Sequence, residues 1–165
     1  MTTTPQRPDV ISLRRMFAQF PTGVVALAAT VEGQDHVFVA SSFTVGVSQE
    51  PPLVMLAVQR TSSTWPKLRN ASTIGVSILS KEHRLICRQL SHRAPERRLR
   101  DVPFTRQGTA ILVDEAAGYF VCRIHDEHPA GDHTIAVLEV LDLKPADGTD
   151  PLVFHRSGFA TVGVA

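Results

Sequence analysis

Apolar residues along this chain change period once the first helix ends. Leu13, Phe17 and Phe20 fall at i, i+4 and i+7 behind Asp9, the spacing of one helix face after an acidic N-cap. Pro21 and Gly23 close that helix. From Thr22 the pattern is extended. TGVVALAATV is a Val- and Ala-rich run of strand length, EGQD is a turn in which Gly33 can take a positive φ, and HVFVASSFTVGVS resumes as strand. The pair predicts a β-hairpin. After the Pro51-Pro52 break, LVMLAVQR is apolar almost without interruption, so burial on both faces is expected. SSTWPKLRNA opens with hydroxyl caps at Ser62 and Ser63 and carries Pro66 in its first turn, the pattern of a short helix.

STIGVSILS reads as strand. KEHRLICRQLS reads as helix, with Ser80 as cap and Leu85, Ile86 and Leu90 as its apolar face. Residues 91–108 read as irregular and basic. TAILV, GYFVCRIHDEH and DHTIAVLEVLDLK predict three more strands, and PLVFHRSGFATVG a final short strand and loop. This makes about six strands in mostly sequential, hairpin-like order, with helices inserted between some of them. No βαβ alternation appears, which excludes a doubly wound sheet. The expected fold is mainly β, a closed antiparallel barrel with inserted helices. Residues 1–8 read as a flexible N-terminal tail and 9–165 as a single domain.

A chain of 165 residues suits one core. With 43% apolar and 20% charged residues it has ordinary globular composition and is not disordered. A formal net charge of +1 gives no general affinity for polyanions. No apolar run approaches the ~18 residues of a membrane helix. MTTTPQRPDV has no apolar signal-peptide core, so a cytoplasmic protein is expected. Cys87 and Cys122 form no CxxC pattern and are expected as buried free thiols.

Absences narrow the chemistry. There is no GxGxxG after a strand, no GxxxxGK[ST] and no GxSxG. His125, His128 and His133 cluster near a turn without a cysteine, which reads as a polar hairpin end; no metal is expected. Arg60, Thr61, Ser62, Ser63 and Thr64 lie between a strand and a helix start. They are either an anion site of hydroxyls, arginine and helix N–H groups, or simple caps beside a surface charge. Lys81, Arg84, Arg88, Arg93, Arg97, Arg98 and Arg100 outnumber Glu82 and Glu96. That segment is either a solvated face or a surface for a nucleotide's phosphates; it lacks the aromatics that stack nucleic-acid bases, and no nucleic acid is expected. In PAGDHTIAVLEV, Gly131 and Asp132 are turn residues and His133 opens the strand.

Seven stretches, in order, resemble the flavin reductase family, the small reductase components of two-component flavin monooxygenases. They are FPTGVVALAA (20–29), ASSFTVGVSQEPPLVMLAV (40–58), SSTWPKLR (62–69), IGVSIL (74–79), VCRI (121–124), GDHTIAVLEV (131–140) and PLVFHRSGF (151–159), covering most of 14–160. The resemblance implies a split antiparallel β-barrel of Greek-key type that binds FMN or FAD and works as a homodimer. It implies hydride transfer from NADH or NADPH to the flavin, and supply of reduced flavin to a partner flavin-dependent monooxygenase. Ser41, Ser42 and Phe43 match the segment beside the flavin ring, and Ser48 and Pro52 the turn that shapes the groove. Arg60, Ser62, Ser63 and Thr64 match the segment holding ribityl and phosphate. His133, with Gly131 and Asp132, matches the nicotinamide position, and Phe159 an aromatic over the cofactor. Arg98 matches the arginine of an Arg-Phe pair, although Leu99 follows it here; the aromatic often found near Ile74 is also missing. Since the flavin carries the redox chemistry, no proton donor is required of the protein. A flavin-binding carrier of the same fold, without turnover, is the alternative; a barrel that binds a partner through its basic 81–100 face is a third.

Overall fold

The computed structural model describes residues 7–163; residues 1–6, most of the expected tail, lie outside it. Twelve strands and three helices appear among the described residues. In order they are α1 (Val10–Phe17), β1 (Thr22–Gly23), β2 (Val25–Val31), β3 (Gln34–Ala40), β4 (Thr44–Gln49), β5 (Pro52–Gln59), α2 (Trp65–Leu68) and β6 (Ile74–Ile78). There follow α3 (Arg84–Leu90), β7 (Phe104–Gln107), β8 (Ala110–Val113), β9 (Gly118–Ala130), β10 (His133–Pro145), β11 (Leu152–His155) and β12 (Gly158–Thr161). All ladders are antiparallel. A nine-stranded sheet runs β4-β5-β10-β9-β6-β2-β8-β7 with β3 also on β2, and β1, β11 and β12 form a small second sheet.

The sheet coils from β3 through β2, β6, β9 and β10 to β5, but no ladder joins β3 to β5. The barrel is therefore split along that seam. Inside it pack Leu27, Leu56, Ile74, Val76, Cys122 and Leu138. The opposite face of β2, with Ala26 and Ala28, is buried again under Cys87 and Leu90 of α3, Ile111 of β8 and Leu152 of β11. That double burial explains why TGVVALAATV reads as one apolar run. β5 differs from expectation. Val54, Leu56 and Val58 face the core, but Leu53, Met55 and Ala57 are only half-buried, because β5 lines the rim of the split barrel.

Other expectations need similar correction. The helix behind Asp9 forms, with Asp9 Oδ1 accepting from Ile11 and Ser12 N–H, yet none of its residues is buried. In α3, Cys87 and Leu90 face the core while Leu85 points to solvent. The basic segment contains β7 as well as a short 3-10 turn at Pro95–Arg97. HVFVASSFTVGVS is two strands with different partners, β3 on β2 and β4 on β5. The C-terminal stretch is likewise two strands, paired as a hairpin. Both cysteines are free and buried, as expected, and desolvation pushes the Cys122 thiol up to about 12, so it stays protonated.

His83 shows how α3 is seated. Its Nδ1 accepts the Ser80 N–H at 3.0 Å, and its Nε2 meets the Asp114 carbonyl at 2.9 Å. A carbonyl only accepts, so the proton is on Nε2 and the ring is neutral. Burial pulls its pKa below the usual histidine value.

Candidate functional site

The seam between β3 and β5 is the floor of a groove of about 510 Å³. Phe38, Val39 and Ala40 supply one wall, Ala57, Val58 and Gln59 the other. Ser42 crosses between them. Its Oγ donates to the Ala57 carbonyl at 2.8 Å and accepts the Ala57 N–H at 3.2 Å. One hydroxyl thus satisfies the backbone groups that a missing ladder partner would have bound. The barrel rim stays open without leaving those groups unpaired.

The end wall is the segment Thr61–Thr64 with Leu90, Ser91 and Arg98. The N-cap of the one-turn α2 is Thr64, not Ser62 or Ser63 as expected, and Ser62 Oγ instead accepts the Trp65 N–H from one turn back at 3.2 Å. With only four residues, α2 adds little dipole, so the anion-binding capacity expected here rests on hydroxyls and the guanidinium. Arg98 is half-buried and triply engaged. Nε donates to the His92 carbonyl at 2.7 Å, and Nη1 to the Val37 carbonyl at 2.9 Å and to Thr64 Oγ1 at 2.8 Å. It staples the 91–100 segment to β3 and to the start of α2. Gln89 fixes the same segment from the other side, donating to the carbonyls of Arg97 and Arg100 at 3.1 and 2.5 Å.

His133 reaches the groove from the β9–β10 ribbon. The ribbon turns in two residues, Gly131–Asp132, with Gly131 at φ +63°, where a side chain would be strained. Asp132 works differently from a plain turn aspartate. Its carbonyl accepts the Arg60 N–H at 3.0 Å, and its carboxylate Oδ1 sits 2.6 Å from His133 Nδ1. A carboxylate only accepts, so Nδ1 carries the proton and Nε2 is left for the groove. The Asp132 side chain is 94% exposed and that of His133 34%, so the pair aims the ring in contact with water. The hydrogen bond from His133, and then its charge, lower the Asp132 pKa.

Seven of the fourteen site residues expected from sequence meet at this groove: Ser41, Ser42, Ser62, Ser63, Thr64, Arg98 and His133. Gly131 and Asp132 stand directly behind His133. Arg60 instead lines an adjoining cleft with Trp65, Arg69 and Glu127. Phe43 turns inward, its ring 6.0 Å from that of Phe120. Ser48 and Pro52 lie at the β4–β5 hairpin, and Pro52 is five positions from Ala57, about 16 Å along an extended strand. Phe159 packs on Phe154, centroids 5.9 Å apart, in the second core. Sequence reasoning passed over Phe38, Gln59 and Ser91, which line the groove, and Glu127, which braces it. Glu127 Oε1 accepts the Trp65 indole N–H at 2.8 Å, and its other oxygen accepts from Arg69. Within HDEH nothing local separates that acid from a hairpin end.

The groove volume lies within the range of small-ligand sites. Its lining combines a flat apolar wall, a row of hydroxyls, one guanidinium and one imidazole. This suits a ligand that presents an apolar face together with hydrogen-bonding and anionic groups.

The family described as "Flavin reductase like domain" matches residues 16–163. The chain is 33% identical over 162 residues to an NADH-dependent flavin reductase from Rhodococcus sp, covering 94% of this chain and 89% of that one. It is 28% identical to the reductase subunit of a flavin-dependent monooxygenase from Rhodococcus jostii (strain RHA1), covering 93% and 78%. Among solved structures, an NADH:FAD oxidoreductase of Streptomyces globisporus C-1027, in complex with NAD and FAD fragments, superposes with a TM-score of 0.87 at 27% identity, covering 94% and 93%.

Proposed function

Because the chain belongs to the flavin reductase-like family, we propose that it is an NAD(P)H:flavin oxidoreductase supplying reduced flavin to a partner monooxygenase. The observation that carries this is the open seam between β3 and β5, a groove with hydroxyls and Arg98 at one end and His133 on its rim. A flavin held there would supply the hydride-accepting chemistry for the nicotinamide nucleotide. The protein's own task is to hold and orient. Ser62, Ser63 and Thr64 offer donors to the ribityl and phosphate groups. Arg98 keeps that segment in place while adding positive charge beside it. Ser41 and Phe38 would border the flavin ring, and Ser42 keeps the seam open. His133 offers Nε2 to the nicotinamide carboxamide, while Asp132 fixes the ring through Nδ1. No side chain is needed to donate a proton, so the pair is a docking device rather than an acid–base dyad.

Steady-state assays with NADH or NADPH and FMN or FAD test this. Oxidation of the nicotinamide nucleotide with at least one flavin is expected; background rates in all four combinations would refute it. Removing the docking group should act on one substrate only. His133→Ala is expected to raise the KM for NAD(P)H about tenfold, roughly the loss of one hydrogen bond, with the flavin KM unchanged. Equal rises in both would make His133 a structural residue.

We also read the chain as half of a homodimer. In α1, Val10, Ile11, Met16 and Phe17 are exposed, as is Phe20 just beyond it, with Phe17 at 70% and Phe20 at 74%. Val45 and Val47 on β4 and Leu141 and Leu143 on β10 add further exposed apolar surface. An amphipathic helix with no buried residue has no covering partner among the described residues. The mass in solution by light scattering should be that of two chains, and the double variant Phe17→Glu/Phe20→Glu should run as a monomer. A wild-type chain that is monomeric at micromolar concentration would overturn this reading.

A further inference from the structure

We propose that Glu127 is a positioning residue for the flavin groove, acting through Trp65; the proposal rests on the reading of that groove as a flavin site. Trp65 is the single tryptophan of the chain and is 6% exposed. Its position determines two parts of the groove. Its ring meets that of Phe38 edge-on, with centroids 6.0 Å apart and planes at 84°, and Phe38 lines the groove wall. Its backbone N–H binds Ser62 Oγ, which fixes the Ser62–Thr64 segment at the groove's end.

What seats Trp65 is a carboxylate on another element. Glu127 lies on β9, opposite Ala136 of β10, on the ribbon that carries His133. Its two oxygens take up different donors. Oε1 accepts from the Trp65 indole N–H at 2.8 Å, and Oε2 from Arg69, four residues further along the chain. One carboxylate therefore binds the first residue of α2 and the residue that ends it. A one-turn helix has almost no stability of its own, so its orientation must come from such outside contacts. The Glu127 side chain is only 16% exposed, so its two oxygens rely on these donors more than on water. It lines the cleft behind α2 and does not border the groove, so its influence on a flavin is indirect. The same contact ties the phosphate-binding end to the ribbon bearing the nicotinamide-binding histidine.

The test uses flavin KM, with Trp65 fluorescence as a direct binding readout, since the indole packs against the groove wall. Glu127→Ala is expected to raise the KM for flavin about tenfold, the loss of a charge-assisted hydrogen bond, with kcat and the KM for NAD(P)H within about twofold. Glu127→Gln keeps an acceptor for the indole and should recover most of the affinity. Trp65→Phe keeps the aromatic contact but removes the indole donor, and should raise the flavin KM by a smaller factor, since the Arg69 bond to Glu127 remains. The double variant should be no worse than Glu127→Ala alone, because that substitution already removes the indole bond. A flavin KM equal to wild type in Glu127→Ala, whatever happens to its melting temperature, would overturn the proposal. So would equal rises in both KM values. Should Glu127→Ala fail to fold, an unchanged flavin KM in Trp65→Phe overturns it instead. A wild-type chain that shows neither turnover nor fluorescence quenching by FMN or FAD refutes the flavin reading itself. A wild type that binds and turns over, alongside an unaffected variant, refutes only the role of Glu127.

Discussion

Arg98→Ala will weaken flavin binding about thirtyfold or more and lower the melting temperature by roughly 6–12 °C, the shift that a loss of about 3 kcal/mol produces in a domain of this size. The carbonyls of His92 and Val37 and the hydroxyl of Thr64 all receive hydrogen bonds from this one guanidinium. Thr64 is buried, so its hydroxyl has little access to water as a substitute partner. Hydrogen bonds from a charged donor are worth about 1.5–3 kcal/mol each, and three from one group are less than additive. The site suffers twice. It loses its positive charge, and the 91–100 segment is freed from β3 and from the start of α2, so Ser91 and Thr64 no longer form one wall. Arg98→Lys should rescue poorly, because one ammonium on a flexible stem cannot serve acceptors on three segments in a fixed fork. All three partners are uncharged, so the stability loss should be the same in high salt, unlike that of a surface ion pair. Thermal melts and flavin titrations check this; a variant that melts lower but binds flavin as wild type would make Arg98 a loop staple only.

How far the sequence reaches can be judged from particular turns. The β2–β3 hairpin was legible because Gly33 sits at φ +76°, where glycine is the residue to expect. The β11–β12 hairpin was not. Its turn is Arg156–Ser157, with φ of 49° and 61°, so two ordinary residues occupy the left-handed backbone, and the glycine comes one position late, at Gly158 in β12. The break between β3 and β4 falls in ASSF, again without glycine or proline. There the chain leaves one ladder for another, and only the bond of Ser42 to Ala57, fifteen residues away, shows why. The Leu13, Phe17 and Phe20 stripe correctly announced a helix. It could not say that none of the helix would be buried against the rest of the described residues. The groove shared this limit: serines 41, 42, 62 and 63 were legible as candidates through resemblance, but the groove itself is a gap between strands. A gap is set by long-range pairing, here of β5 with β10 and of β3 with β2, and leaves no period in the residues that border it. Glu127 is the sharpest case, since its meaning comes entirely from Trp65, sixty-two residues earlier.

Gly75→Ala should be the most destabilising single methyl that can be added to this fold, costing about 3–5 kcal/mol, beyond the usual overpacking range, and leaving little folded protein at 37 °C. Gly75 lies in mid-strand with ordinary extended backbone, so conformational strain is not the reason. Space is. A Cβ there would stand 2.1 Å from the Ile111 carbonyl oxygen, 2.7 Å from its carbon and 2.9 Å from Leu112 Cδ2. Two of these are backbone atoms that no rotamer change can move. Neither strand can yield. β6 is paired along both edges, with β2 through Gly75↔Ala28 and with β9 through Gly75↔Val121. β8 is held against β6 at both ends. The Val113 N–H donates to the buried Ser77 Oγ at 2.9 Å, and Thr109 Oγ1 donates to the Thr73 carbonyl at 2.8 Å and accepts the Thr73 N–H at 2.9 Å. Lifting β8 by the ångström or more that a methyl requires would break these bonds and open the core around Ile111, which close packing does not tolerate cheaply. Gly33→Ala supplies the contrast. It is strained by its φ of +76° but meets no atom within 4 Å, so it should cost only about 1 kcal/mol. Chemical denaturation of both variants reads the difference. A Gly75→Ala midpoint no lower than that of Gly33→Ala would mean that β8 does not sit against β6 as described.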